Sequence, residues 1–202
     1  MRPDVRTRWG STDRAWLGVA AVFYGPTALL GALWMTRRAA STTGHTSLTG
    51  NSVAESILLG VVVGLLVHLA MRLAGRTPAM RDLQDALADH THDMQRHTQL
   101  WVALLSGFGE EILFRGIIQT HIGLVFASIV FALVHIPLER RMLPWPFVAG
   151  AAGLTFGLLT AHTEGVLAAC VAHTLTNALA LNQLGASALT KRFDPNRLPP
   201  RL

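Results

Sequence analysis

Residues 109–116 read GEEILFRG, and they lie between two long runs without a charge, 97–109 and 116–138. Placing an unpaired charge in hydrocarbon costs roughly 2.5–3.5 kcal/mol even on the lenient insertion scale. Glu111 and Arg115 are four residues apart with the acid N-terminal, the better order for an ion pair on one helical face. Glu110 is turned by about 100° from Glu111 and misses that partner. One carboxylate is thus neutralised and held by Arg115, while the other is free for chemistry or for a second partner.

The surroundings of this stretch identify the solvent. Half of the 202 residues are hydrophobic and only 14% are charged, against about 25% in soluble domains, and mean hydropathy is +0.38. A membrane-spanning helix needs about 20 mainly apolar residues. Uncharged windows at 16–36, 56–71, 97–109, 116–138, 142–163 and 165–190 supply six such helices, the second beginning earlier than its window. The chain reads as an all-α, polytopic membrane helix bundle and a single unit over 1–202. Its N-terminal spans and an amphipathic segment occupy 1–98, a polar-centred core 99–184, and a basic tail 185–202.

Six spans place both termini on one side, with the second and fourth loops. That side collects fourteen of the 17 Lys and Arg residues, the opposite side only Arg37 and Arg38, and Arg115 is intramembrane. The positive-inside bias puts both termini in the cytoplasm and the protein in the plasma (inner) membrane. The basic balance follows from this topology and from anionic lipid, so no nucleic-acid partner is implied. The first apolar stretch is too long for a signal peptide and lacks a small-residue cleavage site. Cys170 has no second cysteine to pair with and reads as a small packing residue. The polar stretch 39–52 reads as an outer loop. Residues 80–97 space Leu83, Leu87, His90, Met94 and His97 helically, as in an amphipathic helix along the cytoplasmic face. Asp89 and Asp93 beside its histidines leave open a metal site, against the plainer reading of a solvated face. His68 reads as a packing or interface residue, and His121, His162 and Glu164 as solvated span ends.

Further intramembrane polar residues are few and regularly placed. FALVH sets Phe131 and His135 on one helical face, and HTLTN does the same for His173 and Asn177. With a turn near 121–123, Glu110 and His135 each lie about twelve residues, or roughly 18 Å, from the outer end. The last span enters near Gly165, which puts His173 about 12 Å down and Asn177 about 18 Å. Glu110, His135, His173 and Asn177 therefore converge in depth from three helices. A desolvated carboxylate is a better base near neutral pH, and His and Asn are suitable oxyanion donors.

EEILFR, FALVH and HTLTN, in that order over roughly residues 100–182, resemble the EExxxR, FxxxH and HxxxN motifs of the CPBP family. These are the CAAX-protease and bacteriocin-processing (Abi) intramembrane endopeptidases, which include the Ras-converting endopeptidase. The resemblance implies that Glu110 and His135 hold and activate a water without a metal cofactor, and that His173 and Asn177 stabilise the oxyanion. Glu111, Arg115 and Phe131 are then structural supports. Gly107 and Gly109 admit water or peptide near Glu110, or simply let helices touch. The implied substrate is a membrane-anchored protein or peptide: a CAAX end, a leader, or a C-terminal sorting signal.

Three alternatives fit the same residues. Glu110, His135 and His173 can ligate zinc, although HExxH is absent. A buried Glu, His and Arg set can relay protons or ions in a transporter, although no internal repeat is visible. A non-catalytic binding or immunity protein is the third.

Overall fold

The computed structural model describes residues 10–39, 48–49 and 52–192. Most of the expected 39–52 loop and residues 193–202 of the tail lie outside the described residues, as do Arg2, Arg6, Arg8 and Trp9. The architecture is the expected all-α membrane bundle, with no strand among the described residues. The elements run α1 Ser11–Ala39, α2 Val53–Ala74, α3 Pro78–Thr91 and α4 Arg96–Glu111. A π-helical segment, Ile112–Ile118, continues α4 into α5 Gln119–Ile122, and then comes α6 Leu124–Leu133. A 3-10 turn at Arg140–Met142 leads to α7 Trp145–Thr163 and α8 Leu167–Arg192. Three stretches, Ser11–Arg37, Val53–Ala74 and Arg140–Thr163, are long and apolar enough to cross a membrane.

One expected span is corrected. The uncharged run 116–138 is not a single helix. Its first seven residues finish the helix that begins at Arg96, and Gly123 breaks the chain with φ 81°, a conformation open to glycine. The next helix, α6, has 10 residues and rises about 15 Å, half of a core about 30 Å thick. It stops at Leu133, and Pro137 bars its resumption, because the residue before a proline, Ile136, is driven out of helical geometry. His135 thus lies just past α6, in a tightened turn where its N–H bonds Ala132 O at 3.1 Å.

Small residues set how the helices pair. Added Cβ atoms at Gly60 and Gly64 of α2 would strike the Ala168 and Ala172 carbonyls of α8 at 2.6 and 2.8 Å, so these backbones approach as in small-xxx-small packing. Thr176 Oγ1 also donates to Gly64 O at 3.2 Å. This seam turns Ala168, Ala172 and Thr176 toward α2, and leaves the neighbouring face of α8 to α4. There Gly107 meets Thr174, while Ser106 and Glu111 meet Asn177 and His173, so α4 and α8 are antiparallel. Gly31 meets Ile112 and Gly116 meets Met35, which makes α1 and α4 parallel. Gly150, Gly153 and Gly157 of α7 meet Ala132, Phe131 and Leu124, so α6 and α7 are antiparallel. These directions are those of an up-and-down order of crossings. Away from the seams, α1 and α2 expose large apolar side chains, among them Val22, Phe23, Leu58 and Leu66, as lipid-facing helices do.

The amphipathic helix forms at 78–91 rather than 80–97. Met80, Leu83 and Ala86 are buried, and it packs on α8. Asp89 pairs with Arg141 at 3.1 Å, and His90 and His92 each bond backbone carbonyls. At the foot of α1, Asp13 accepts the Gln95 N–H at 3.0 Å, tying the start of α1 to the start of α4.

Candidate active site

The π segment carries Arg115, whose side chain and that of Glu111 are both 0% exposed. Arg115 Nε stands 3.1 Å from Glu111 Oε2, but the N–H is out of line, and no guanidinium nitrogen has a hydrogen-bond acceptor among the described residues. Charge attraction rather than a hydrogen bond joins the pair. The guanidinium also lies over the Phe131 ring, 4.9 Å from its centroid, a contact worth about 2 kcal/mol when desolvated. Gly153 makes room behind it: a Cβ there would stand 3.1 Å from the Phe131 ring and 3.4 Å from an Arg115 nitrogen.

Glu111 has a second partner that its spacing did not reveal. Its Oε1 lies 2.8 Å from His173 Nδ1, and the His173 ring stacks on Phe156 of α7 at 5.2 Å. A carboxylate accepts, so Nδ1 carries the proton and Nε2 faces the other way. His135 is held similarly. Its Nδ1 is 2.7 Å from Phe131 O, which can only accept, and the ring leans on Phe131 and on Trp145. Both Nε2 atoms turn to the same atom, Glu110 Oε2, at 3.8 Å from His135 and 4.0 Å from His173. That oxygen is buried and has no hydrogen-bond partner among the described residues. Those separations exceed a direct hydrogen bond and suit a small molecule between the groups.

Asn177 lies one turn further along α8, where its Nδ2 donates to Ser106 Oγ at 3.0 Å. The single Ser106 hydrogen goes to Ala103 O at 3.3 Å, so Ser106 can only accept from Asn177. That fixes which end of the amide is the nitrogen.

Beside Glu110 a cleft of about 370 Å³ opens between α1, the α4–π junction and the end of α6. Phe23, Tyr24, Leu113 and Val134 line it together with Glu110 and His135. Phe23 and Val134 are exposed, so the cleft faces the lipid side.

The structure brings together all seven residues singled out from the sequence: Glu110, His135 and His173 around one point, Asn177 one turn away, and Glu111, Arg115 and Phe131 packed behind. Gly107 and Gly109 serve helix contact, since added Cβ atoms would strike Thr174 and Tyr24. Cys170 is buried and free, and His121, His162 and Glu164 are exposed. His68 borders a small gap of about 40 Å³ among α2, α3 and α8. Sequence reasoning missed Ser106 and Tyr24. Ser106 is four residues before Glu110, hence on its helical face, and that spacing was a usable signal. Tyr24 had none beyond being the chain's only tyrosine.

A membrane helix bundle with an acid, two histidines and an amide gathered beside a lipid-facing cleft defines a class of membrane-embedded proteins with a polar centre. Residues 96–179, less than half of the chain, match the sequence model of the family described as type II CAAX prenyl endopeptidase Rce1-like. Over 82 residues the chain is 35% identical to the uncharacterized protein YpbD of Bacillus subtilis (strain 168). That match covers 40% of this chain and 42% of YpbD, less than half of either. No solved structure gives a significant match.

Proposed function

We propose that this protein is an intramembrane endopeptidase that hydrolyses a peptide bond of a membrane-anchored protein or peptide with water activated by Glu110 and His135, without a metal cofactor. The observation that carries the reading is the convergence of two imidazole Nε2 atoms on Glu110 Oε2 at 3.8 and 4.0 Å, beside a cleft open to lipid. In their neutral forms the two rings and the carboxylate present only acceptors to one another. A water between Glu110 and His135 donates one hydrogen to each, and giving up the first to Glu110 makes it a nucleophile. The attacked carbonyl then gains charge on its oxygen. His173 takes a second proton from solvent before the attack; as an imidazolium backed by Glu111, it offers its Nε2–H as a donor for that oxygen. Asn177 spends one N–H on Ser106 and has a second to give. Collapse of the tetrahedral intermediate returns the proton to the leaving amine. A Rce1-like segment over 96–179 supports the protease class. CAAX ends, leader peptides and C-terminal sorting signals are the substrate types to test.

A second reading starts from what backs the two histidines, although among the described residues no group of three or more His, Cys, Asp or Glu is placed to hold a metal ion. Each ring is buttressed at Nδ1 by a carboxylate or a carbonyl, as metal-bound histidines are, so a zinc ion on Glu110, His135 and His173 is the competing arrangement. Purified protein assayed on a membrane-tethered peptide separates the two. Under the proposal, activity survives exhaustive chelation, and His173→Ala and Asn177→Ala each lower turnover by about 10²–10³ with substrate binding little changed. One zinc per active chain, lost with activity on chelation and in His173→Ala but kept in Asn177→Ala, would replace it.

We also propose a plasma-membrane location with both termini cytoplasmic, supported by the distribution of basic residues and by the up-and-down helix directions. Introduced cysteines in 39–52 should label from outside and those in 80–97 should not; the reverse pattern overturns the orientation.

A further inference from the structure

The matched segment begins at residue 96, yet the cleft beside Glu110 has a wall from α1, far upstream. Tyr24 is the polar member of that wall. Gly109 is what lets it come so close: a Cβ there would fall 2.6 Å from Tyr24 Cβ and 3.0 Å from its Cα and carbonyl oxygen. The residue after Gly109 is Glu110, so a close contact of α1 with α4 lies one position from the proposed base. Tyr24 is half-buried and borders the same cleft as Glu110. A packing role alone would be met by any ring, and buried tyrosines seek a partner for the hydroxyl.

We infer that Tyr24 is a positioning residue for the reaction: its hydroxyl donates to the Glu110 carboxylate and holds it in the orientation that faces His135 and His173. The inference rests on Glu110 being the base. Charged and titratable groups approach that carboxylate from every side: Tyr24 from α1, His135 from the turn after α6, and His173 from α8, with Glu111 and Arg115 behind. The histidines converge on Oε2 from one side, and a donor on the α1 side restrains rotation of the carboxylate. Hydrogen bonds to a charged acceptor are the stronger kind, so this one fixes geometry as well as adding attraction. It also explains why a glycine sits directly before the acid, where a larger residue would push α1 and its phenol away.

Two measurements on the full chain test the inference. Tyr24→Phe keeps the ring and removes only the hydroxyl, so kcat should fall about tenfold or more while KM and thermal melting stay near wild type. A Tyr24→Phe protein with wild-type kcat overturns the proposal. Tyr24 is the only tyrosine, so ring-labelled tyrosine gives a single phenol C–O band in the infrared spectrum. Glu110→Gln should move that band toward a weaker donor, and an unmoved band overturns the contact. The spectrum is read without substrate, so the contact is decided even if no peptide is cleaved.

Discussion

Glu110 and Glu111 are adjacent in the chain and sit in unlike regions. The region around Glu111 is sealed: its carboxylate meets Arg115 and His173, Phe131 covers the guanidinium and Phe156 the imidazole, and neither member of the ion pair is exposed. The region around Glu110 is open on one side to a cleft, and its two histidine neighbours stand 3.8 and 4.0 Å away, beyond direct bonding. On the proposed reading, the same residue type serves as scaffold in one place and as reactive group in the other. What separates them is the number of partners within bonding distance, and the helical turn decides that. Sealing a charge fixes a neighbour; leaving one half-paired beside a cleft leaves it able to take a proton.

Breaking the sealed region should have the largest effect on the fold. Arg115→Met leaves Glu111 a buried carboxylate with His173 alone as partner, and breaking a buried ion pair typically costs about 3–5 kcal/mol. Protein level and melting temperature should drop together, and a variant that melts like wild type would show that Arg115 is not needed to hold Glu111. A smaller effect is expected at the seam joining the two regions. An added Cβ at Gly107 would meet Thr174 N at 2.8 Å, and overpacking of this kind costs about 1–3 kcal/mol. Gly18 has nothing within 4 Å, so Gly18→Ala is the control and should change stability by less than about 0.5 kcal/mol. Equal melting of Gly107→Ala and Gly18→Ala would contradict the close α4–α8 contact. The smallest change tests the edge of the open region. Ser106→Ala removes the acceptor that orients Asn177, one hydrogen bond worth about 1 kcal/mol. Turnover should fall roughly fivefold with melting hardly altered; an unchanged kcat would remove Ser106 from the account.

Much of this was legible beforehand because membrane helices obey few rules. Charge-free windows located the helices, and fixed rise per residue put Glu110, His135, His173 and Asn177 at related depths. The i, i+4 spacing anticipated the Glu111–Arg115 pair. The run 116–138 misled because absence of charge was read as continuity, although Gly123 and Pro137 were there to divide it. The π segment Ile112–Ile118 has no local signature in the sequence. Tyr24 and Ser106 were out of reach for another reason. Their roles come from pairing between helices far apart in the chain, governed by which glycines allow close approach, and one sequence shows the glycines without showing what they touch.

The central claim is that Glu110 does chemistry and Glu111 holds structure. One paired measurement tests it: cleavage rate and melting temperature of Glu110→Gln and Glu111→Gln, purified alongside wild type and given the same membrane-tethered peptide. The account predicts that Glu110→Gln loses cleavage by at least about 10²-fold and melts like wild type, whereas Glu111→Gln melts markedly lower. A Glu110→Gln protein that cleaves at the wild-type rate would contradict it.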